Sequence, residues 1–521
     1  MKIICSKESL IRFTVIQYVI ALFVLLTSGG IIFAQSSIPG AWADGIHKDT
    51  KAIQACLDSI NNAGGGTIVF SKGKYLTAPL TLRSTNNLTV QIDSGATILA
   101  SVDTIDYYTP GADTTKPLTS VLNFISASGF QNLTIQGPGT IDGQGARWWP
   151  NPNGPRPRLL QLAKGIHLAV KDVTLTNSPM FHLCPNTCYD VVVDHITILA
   201  PSTSPNTDGI DPGICHHVRI TNCTIDNGDD NIAIGASSSS PGWSAASTDI
   251  IIKHNTFLHG HGVSIGSYTT GGVDTMLVDS CTFNGTTNGI RIKSDRGRGG
   301  NVRNITYSNL TMTNVRYPIY FTAYYSGVPA QTDPPQTINS ETPYFHDLSV
   351  INLNSANTAS NSVAGIIMGL PEQPQTNIQL QNVTISAYKG IETRWATVTD
   401  PDTNLITVKS GPRFIYEVGS LVLTDVKNEA ANIPTGYSLK QNYPNPFNPS
   451  TIIKYELPKN GIVTLKVYDL IGKETAILVN KYMTAGEYSA TFNASQLPSG
   501  VYFYKLTLNG TSIVKKMMVV K

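Results

Sequence analysis

At 521 residues the chain has room for one large domain and a smaller one. Only 14% of residues are charged, and 37 basic side chains against 35 acidic ones leave a net charge of +2. That balance excludes a nucleic-acid footprint, and any acidic partner must be held by a few placed cations rather than a general field. The 44 glycines, with abundant Thr, Ser and Asn, suit short strands and turns better than long helices.

In chain order, Lys2, Lys7 and Arg12 precede an apolar run at 13–26, followed by small residues to Ala34. Residues 1–34 read as a cleaved export signal, the apolar core being short for a membrane span. Cys5 leaves with it, so Cys56, Cys184, Cys188, Cys215, Cys223 and Cys281 remain in an oxidising compartment. They are expected as disulfides or buried thiols of open connectivity, since no CxxC pair or matching His spacing supports zinc.

Ala52, Ile53, Cys56, Leu57 and Ile60 recur at helical spacing within 49–62, and Gly64, Gly65 and Gly66 stop that helix. Short strands follow, several with Thr between two apolar residues or the like. Thr174, Thr197, Thr224, Thr256, Thr282 and Thr311 form the series, at intervals of 23 to 32 residues. A variable period of this size fits the coils of a right-handed parallel β-helix whose loops absorb length differences, with the opening helix capping its end. A propeller would require recurrent hairpin turns, and a sandwich would show strict alternation.

Composition changes near 430. Beyond Tyr437, alternating strands such as Val463, Leu465 and Val467 are divided by Pro and Gly turns. The fold class is therefore all-β: a β-helix over 35–432, then a small sandwich over 433–521.

Chemistry-bearing residues are placed by the threonine series. Asp229 lies five places after Thr224, and His261 five places after Thr256. Equal offsets in stacked coils become neighbours roughly 4.8 Å apart. Asp230 adjoins Asp229, Asp208 follows the preceding coil, and Arg291 and Lys293 follow the next. Singly, an Asp-Asp pair or a His between glycines is an ordinary turn. Together they gather carboxylates, an imidazole and two cations on one face, as acid–base cleavage of a glycosidic bond in an acidic polymer requires. Calcium would account for the aspartates but not for the interposed His, Arg and Lys.

NTDG at 206–209, GDD at 228–230, GHG at 260–262 and RIK at 291–293 resemble the four ordered signatures of glycoside hydrolase family 28, the polygalacturonases. The resemblance covers roughly 40–430. It implies a secreted enzyme hydrolysing α-1,4-linked galacturonate of pectin or its oligomers with inversion, without metal or organic cofactor. The alternatives are a hydrolase of another pectic chain such as rhamnogalacturonan or a non-catalytic surface pectin-binding β-helix. Asp229 is implied as general acid and Asp208 and Asp230 as the residues that position and deprotonate water. His261 is implied to support protonation of the acid, while Arg291, Lys293 and Tyr325 contact substrate, with Tyr324 the alternative tyrosine. Asn231 and Gly235 stand where many relatives carry Cys and Lys, so one disulfide partner and one peripheral cation are missing. YPNPFNPST, LPSGVYFYKL and KKMMVVK resemble the C-terminal sorting domain of the type IX secretion system, implying export through the periplasm and outer membrane to the surface or medium. We expect a monomer. Inserts 236–247 and 326–343 are candidates for groove walls that decide between endo and exo action.

Overall fold

The structure, a computed structural model, describes residues 38–521 except 84–85, 238–244, 326–332, 400–405, 424–435, 484, 496, 509 and 521. The export segment and the 432/433 boundary fall outside the described residues, as do much of the 236–247 insert and the first part of 326–343.

The helix Thr50–Asn62 buries Ile53 and Leu57 against the first coils, with Ala52, Cys56 and Ile60 packed on the same core. Asp49 at its start uses its carboxylate differently from a helix cap. It accepts from the Trp42 and Ala43 backbone N–H groups at 2.6 and 3.1 Å, tying the entering chain to the helix. At Gly65 the backbone turns through φ +129°, where a Cβ would lie 2.5 Å from the Asn86 carbonyl.

Beyond the helix the chain winds as a parallel β-helix. The threonine series is in register. Thr174 pairs with Thr197, Thr197 with Thr224, Thr224 with Thr256, Thr256 with Thr282, and Thr282 with Thr311, all in parallel. Each threonine faces outward while its successor faces in, because side chains alternate along a strand. Leu175, Ile198, Ile225, Phe257, Phe283 and Met312 consequently stack as a file of buried side chains. The Phe257 and Phe283 rings lie 4.8 Å apart, which is the coil spacing itself.

Corners are turned by residues in the left-handed region, mostly Asn, Asp and His, side chains that tolerate φ near +55°. Stacked corners bond to one another: Asn352 Nδ2 donates to Asn309 Oδ1 at 2.9 Å, and Asn382 Nδ2 to Asn352 Oδ1 at 2.8 Å. All six cysteines from Cys56 to Cys281 are free thiols, five of them buried. Of the two readings offered by the sequence, buried thiols hold.

The C-terminal region forms two antiparallel sheets. Glu474–Met483, Gly461–Tyr468, Gly500–Leu508 and Thr511–Val519 make one, and Ser438–Leu439, Ser450–Leu457 and Gly486–Asn493 the other. Val463, Leu465 and Val467 are fully buried in its own core, and Tyr502 and Tyr504 point inward as well. These tyrosines are packing residues rather than an exposed platform for sugar.

Candidate active site

Ile232–Ala236, Val263–Thr269, Asn288–Lys293 and Tyr317–Thr322 pair in parallel along one long face. Bridges from Leu183 to Ile210 and from Ile210 to Ile232 continue that face toward the N-terminal coils. Since register is kept, residues two places before the paired positions form one file: Phe181, Asp208, Asp230 and His261. One place after them lies an outward file of Asp211, Ala233, Ser264 and Arg291. Stacking thus brings together residues 83 positions apart in sequence, from Asp208 to Arg291. A cleft of about 570 Å³ opens over this floor, lined by Asp208, Asp211, Asp229, Asp230, Lys293 and Tyr325 among others.

Asp230 is 1% exposed and saturated with donors. Lys293 Nζ reaches its Oδ2 at 2.7 Å, while Arg291 Nη1 and Ser264 Oγ reach Oδ1 at 3.1 and 2.8 Å. Lys293, which lines the cleft, and Arg291 therefore both serve a protein carboxylate. His261 Nδ1 lies 3.1 Å from Asp229 Oδ1. Its place depends on both flanking glycines: Gly262 has φ +70°, and a Cβ there would meet the Gly289 carbonyl at 2.2 Å. A Cβ at Gly260 would stand 2.4 Å from Asn227 Oδ1. GHG is thus a packed turn between coils.

The carboxyl groups are driven apart in proton affinity. Burial, then the charges of Asp211, Asp229 and Asp230, push Asp208 well up. Asp211 is pushed up in the same way, by burial and by Asp230. Burial also acts upward on Asp229, but the hydrogen bond and charge of His261, with Lys293, outweigh it and leave Asp229 low. In the free cleft His261 thus favours the carboxylate form of Asp229, the opposite sense to the support for protonation implied by the family resemblance. Oδ1 of Asp208 and Oδ1 of Asp211 are both buried without a hydrogen-bond partner among the described residues.

Tyr325 stands at the cleft edge with φ +42°, its ring 5.8 Å from Lys293 Nζ. Tyr324 turns away, donating to Asp333 Oδ2 at 2.6 Å. Gly235 lies on the cleft floor with open space before it, where the resemblance leads one to expect a lysine. Among the described residues, Asp229, Asp230 and His261 form a metal-capable cluster, and it is one that Lys293 and Arg291 already neutralise in part.

Four supporting residues were not singled out in the sequence. Asp211 directly follows Ile210, whose side chain is buried, so strand alternation turns Asp211 outward. His182 is fully buried beneath the site; its Nδ1 lies 3.0 Å from the Asp208 carbonyl, and burial lowers its pKa to about 4. Arg156 Nη2 donates to Asn206 Oδ1 at 2.6 Å, and Asn206 Nδ2 to Asp229 Oδ2 at 3.3 Å. Asn231 appeared only as a departure from the family pattern. In the structure it is fully buried, donating to Asn227 Oδ1 at 2.9 Å and the His259 carbonyl at 2.7 Å, and accepting from the Gly262 N–H at 2.8 Å.

The chain is similar in sequence and fold to known proteins. The family model described as glycosyl hydrolases family 28 matches residues 68–403, and that described as a secretion system C-terminal sorting domain matches 441–520. An endo-polygalacturonase of Pectobacterium carotovorum subsp. carotovorum is 34% identical over 374 residues, covering 64% of this chain and 87% of the relative. A polygalacturonase of Ralstonia solanacearum is 32% identical over 410 residues, covering 66% and 74% respectively. Among solved structures, the polygalacturonase from Erwinia carotovora ssp. carotovora superposes with a TM-score of 0.58 at 28% identity, covering 75% of this chain and all of that one.

Proposed function

As the chain belongs to glycosyl hydrolases family 28, we propose that its cleft hydrolyses α-1,4-galacturonosidic bonds of homogalacturonan or its oligomers with inversion. The observation that carries this reading is one file of stacked coils holding Asp208, Asp230 and His261, with Asp229 alongside and Arg291 and Lys293 facing it. Asp229 gives its proton to the glycosidic oxygen as the C1–O bond breaks. Water attacks C1 from the opposite face, and its proton passes to the Asp208–Asp230 side. In the free cleft the shifts run the other way, with Asp229 held low and Asp208 raised, so substrate binding must redistribute the protons before Asp229 can donate and the Asp208–Asp230 side can accept. Arg291, Lys293 and Tyr325 receive the uronate beside the cut.

No metal or organic cofactor enters this scheme. The sorting domain sends the enzyme to the cell surface or medium. We infer that residues 1–34 take it into the periplasm first, that residues 433–521 carry it across the outer membrane, and that it acts as a monomer. Asp229→Asn tests the assignment. Reducing ends released from polygalacturonate should fall by roughly 10²–10⁴ with the folded state kept, and unchanged turnover would refute it. Chromatography of the products, a ladder against monomer or dimer, assigns endo or exo action.

A further inference from the structure

A polyanionic chain needs cations that the protein has not already neutralised. Arg291 and Lys293 are both bonded to Asp230. Arg296, on the same side of the molecule, is taken up by Glu372 at 2.7 Å and Asp333 at 2.8 Å. Arg156 is sealed among the carbonyls of Pro152, Pro179 and Pro205 and the Asn206 side chain.

Two arginines remain. Arg158 lines the cleft, its guanidinium 5.1 Å from the Phe181 ring centroid and bonded to Gln161 Oε1. Leu160 pairs with Leu183, and bridges run from Leu183 to Ile210 and from Ile210 to Ile232. Arg158 is two places before Leu160, so it belongs to the file of Phe181, Asp208 and Asp230. It lies two coils, or roughly 10 Å, to the N-terminal side of Asp208. Arg298 stands on the other side, beyond Lys293. Its guanidinium lies between the Tyr268 and Tyr325 rings, at 5.3 and 5.1 Å, and donates to Ser267 Oγ at 3.3 Å. Ser267, Tyr268 and Tyr325 all line the same cleft.

Neither guanidinium forms an ion pair among the described residues, although Arg158 is near enough to Asp211 for its charge to pull that carboxyl's pKa downward. Aromatic bracing fixes the plane of a guanidinium while leaving most of its N–H donors open, so little further ordering is needed to take a carboxylate in bidentate fashion.

We propose that Arg158 and Arg298 are substrate-binding residues at opposite ends of the cleft, each gripping a uronate carboxylate of one acidic chain laid across the aspartates. This rests on the polygalacturonase reading and extends it to residues outside the family signatures quoted above. Titration calorimetry on the Asp229→Asn protein, with oligogalacturonates long enough to fill the cleft, separates the two claims because it needs no turnover. Arg158→Gln and Arg298→Gln should each weaken binding about tenfold, with Arg→Lys at either site restoring part of it. Methyl-esterified oligomers, whose carboxylates are masked, should bind the parent weakly and lose nothing more in either Gln variant. Unchanged affinity for the acidic oligomer overturns the proposal. Equal weakening on acidic and esterified ligands also overturns it, by showing a merely structural role. Wild-type protein that binds polygalacturonate without cleaving it would instead refute the hydrolase reading and leave the binding result to stand by itself.

Discussion

Asn231→Ala is the sharpest test of how the catalytic turns are held. Asn231 is fully buried and joins three places: the Asn227 side chain, the His259 carbonyl and the Gly262 N–H. Asn227 in turn donates to the carbonyls of Thr207 and Asp230 at 2.8 and 2.9 Å, so the network runs beneath all three catalytic turns. Truncation to Ala removes the partner of three polar groups, two of them buried and the His259 carbonyl part-buried. At the low end of about 1 kcal/mol each, the loss is roughly 3 kcal/mol. For a domain of this size that corresponds to a drop in Tm of roughly 4 °C. Since two of the freed groups flank His261, kcat should also fall by roughly 10–100-fold through misplacement. Asn231→Asp keeps the acceptor for Gly262 but sets a carboxylate against the His259 carbonyl, and it should be worse than Ala. Calorimetric unfolding and reducing-end kinetics on purified protein supply both numbers. A Tm within 1 °C of wild type together with kcat within twofold would refute the positioning role.

The remaining predictions are brief. Asp208 and Asp211 have native pKa values above the unfolded value of about 3.9, so the stability they share is present at low pH and is lost as pH rises through the native values. Asp211→Asn should therefore match wild type in Tm near pH 3 and exceed it near pH 7; a difference that does not change with pH would contradict this. His261→Ala removes the contact that holds Asp229 low, so kcat should fall while the alkaline limb of kcat/KM moves to higher pH. Thiol reagents should label at most Cys56 in the native protein and all six cysteines of the 38–521 region after unfolding, as measured by intact mass. Removing 433–521 should leave kcat on polygalacturonate unchanged and stop export, read by comparing lysate with culture medium, because the sandwich has a core of its own.

The β-helix was legible because its coils repeat one local rule. An apolar residue faces in after each outward threonine, and any error in register would turn a whole strand over, so Thr174 through Thr311 pair in the order their spacing suggests. Offsets counted from those threonines were enough to put His261 beside Asp229. The asparagine corners went unread, since a single Asn between strands looks like any turn until its neighbours stack above and below it.

What the sequence determined by itself is the set of candidate acid–base groups and the coil on which each one sits. Tertiary structure decided how those groups are shared. Coil stacking spends Arg291 and Lys293 partly on Asp230, turns Asp211 into the carboxyl array, and makes Asn231 a tie beneath the site. It also leaves Arg158 and Arg298 braced on aromatic rings without an ion pair among the described residues. These outcomes depend on distances of about 3 Å between residues 31 to 63 positions apart, and electrostatic and hydrogen-bond energies change steeply over such distances.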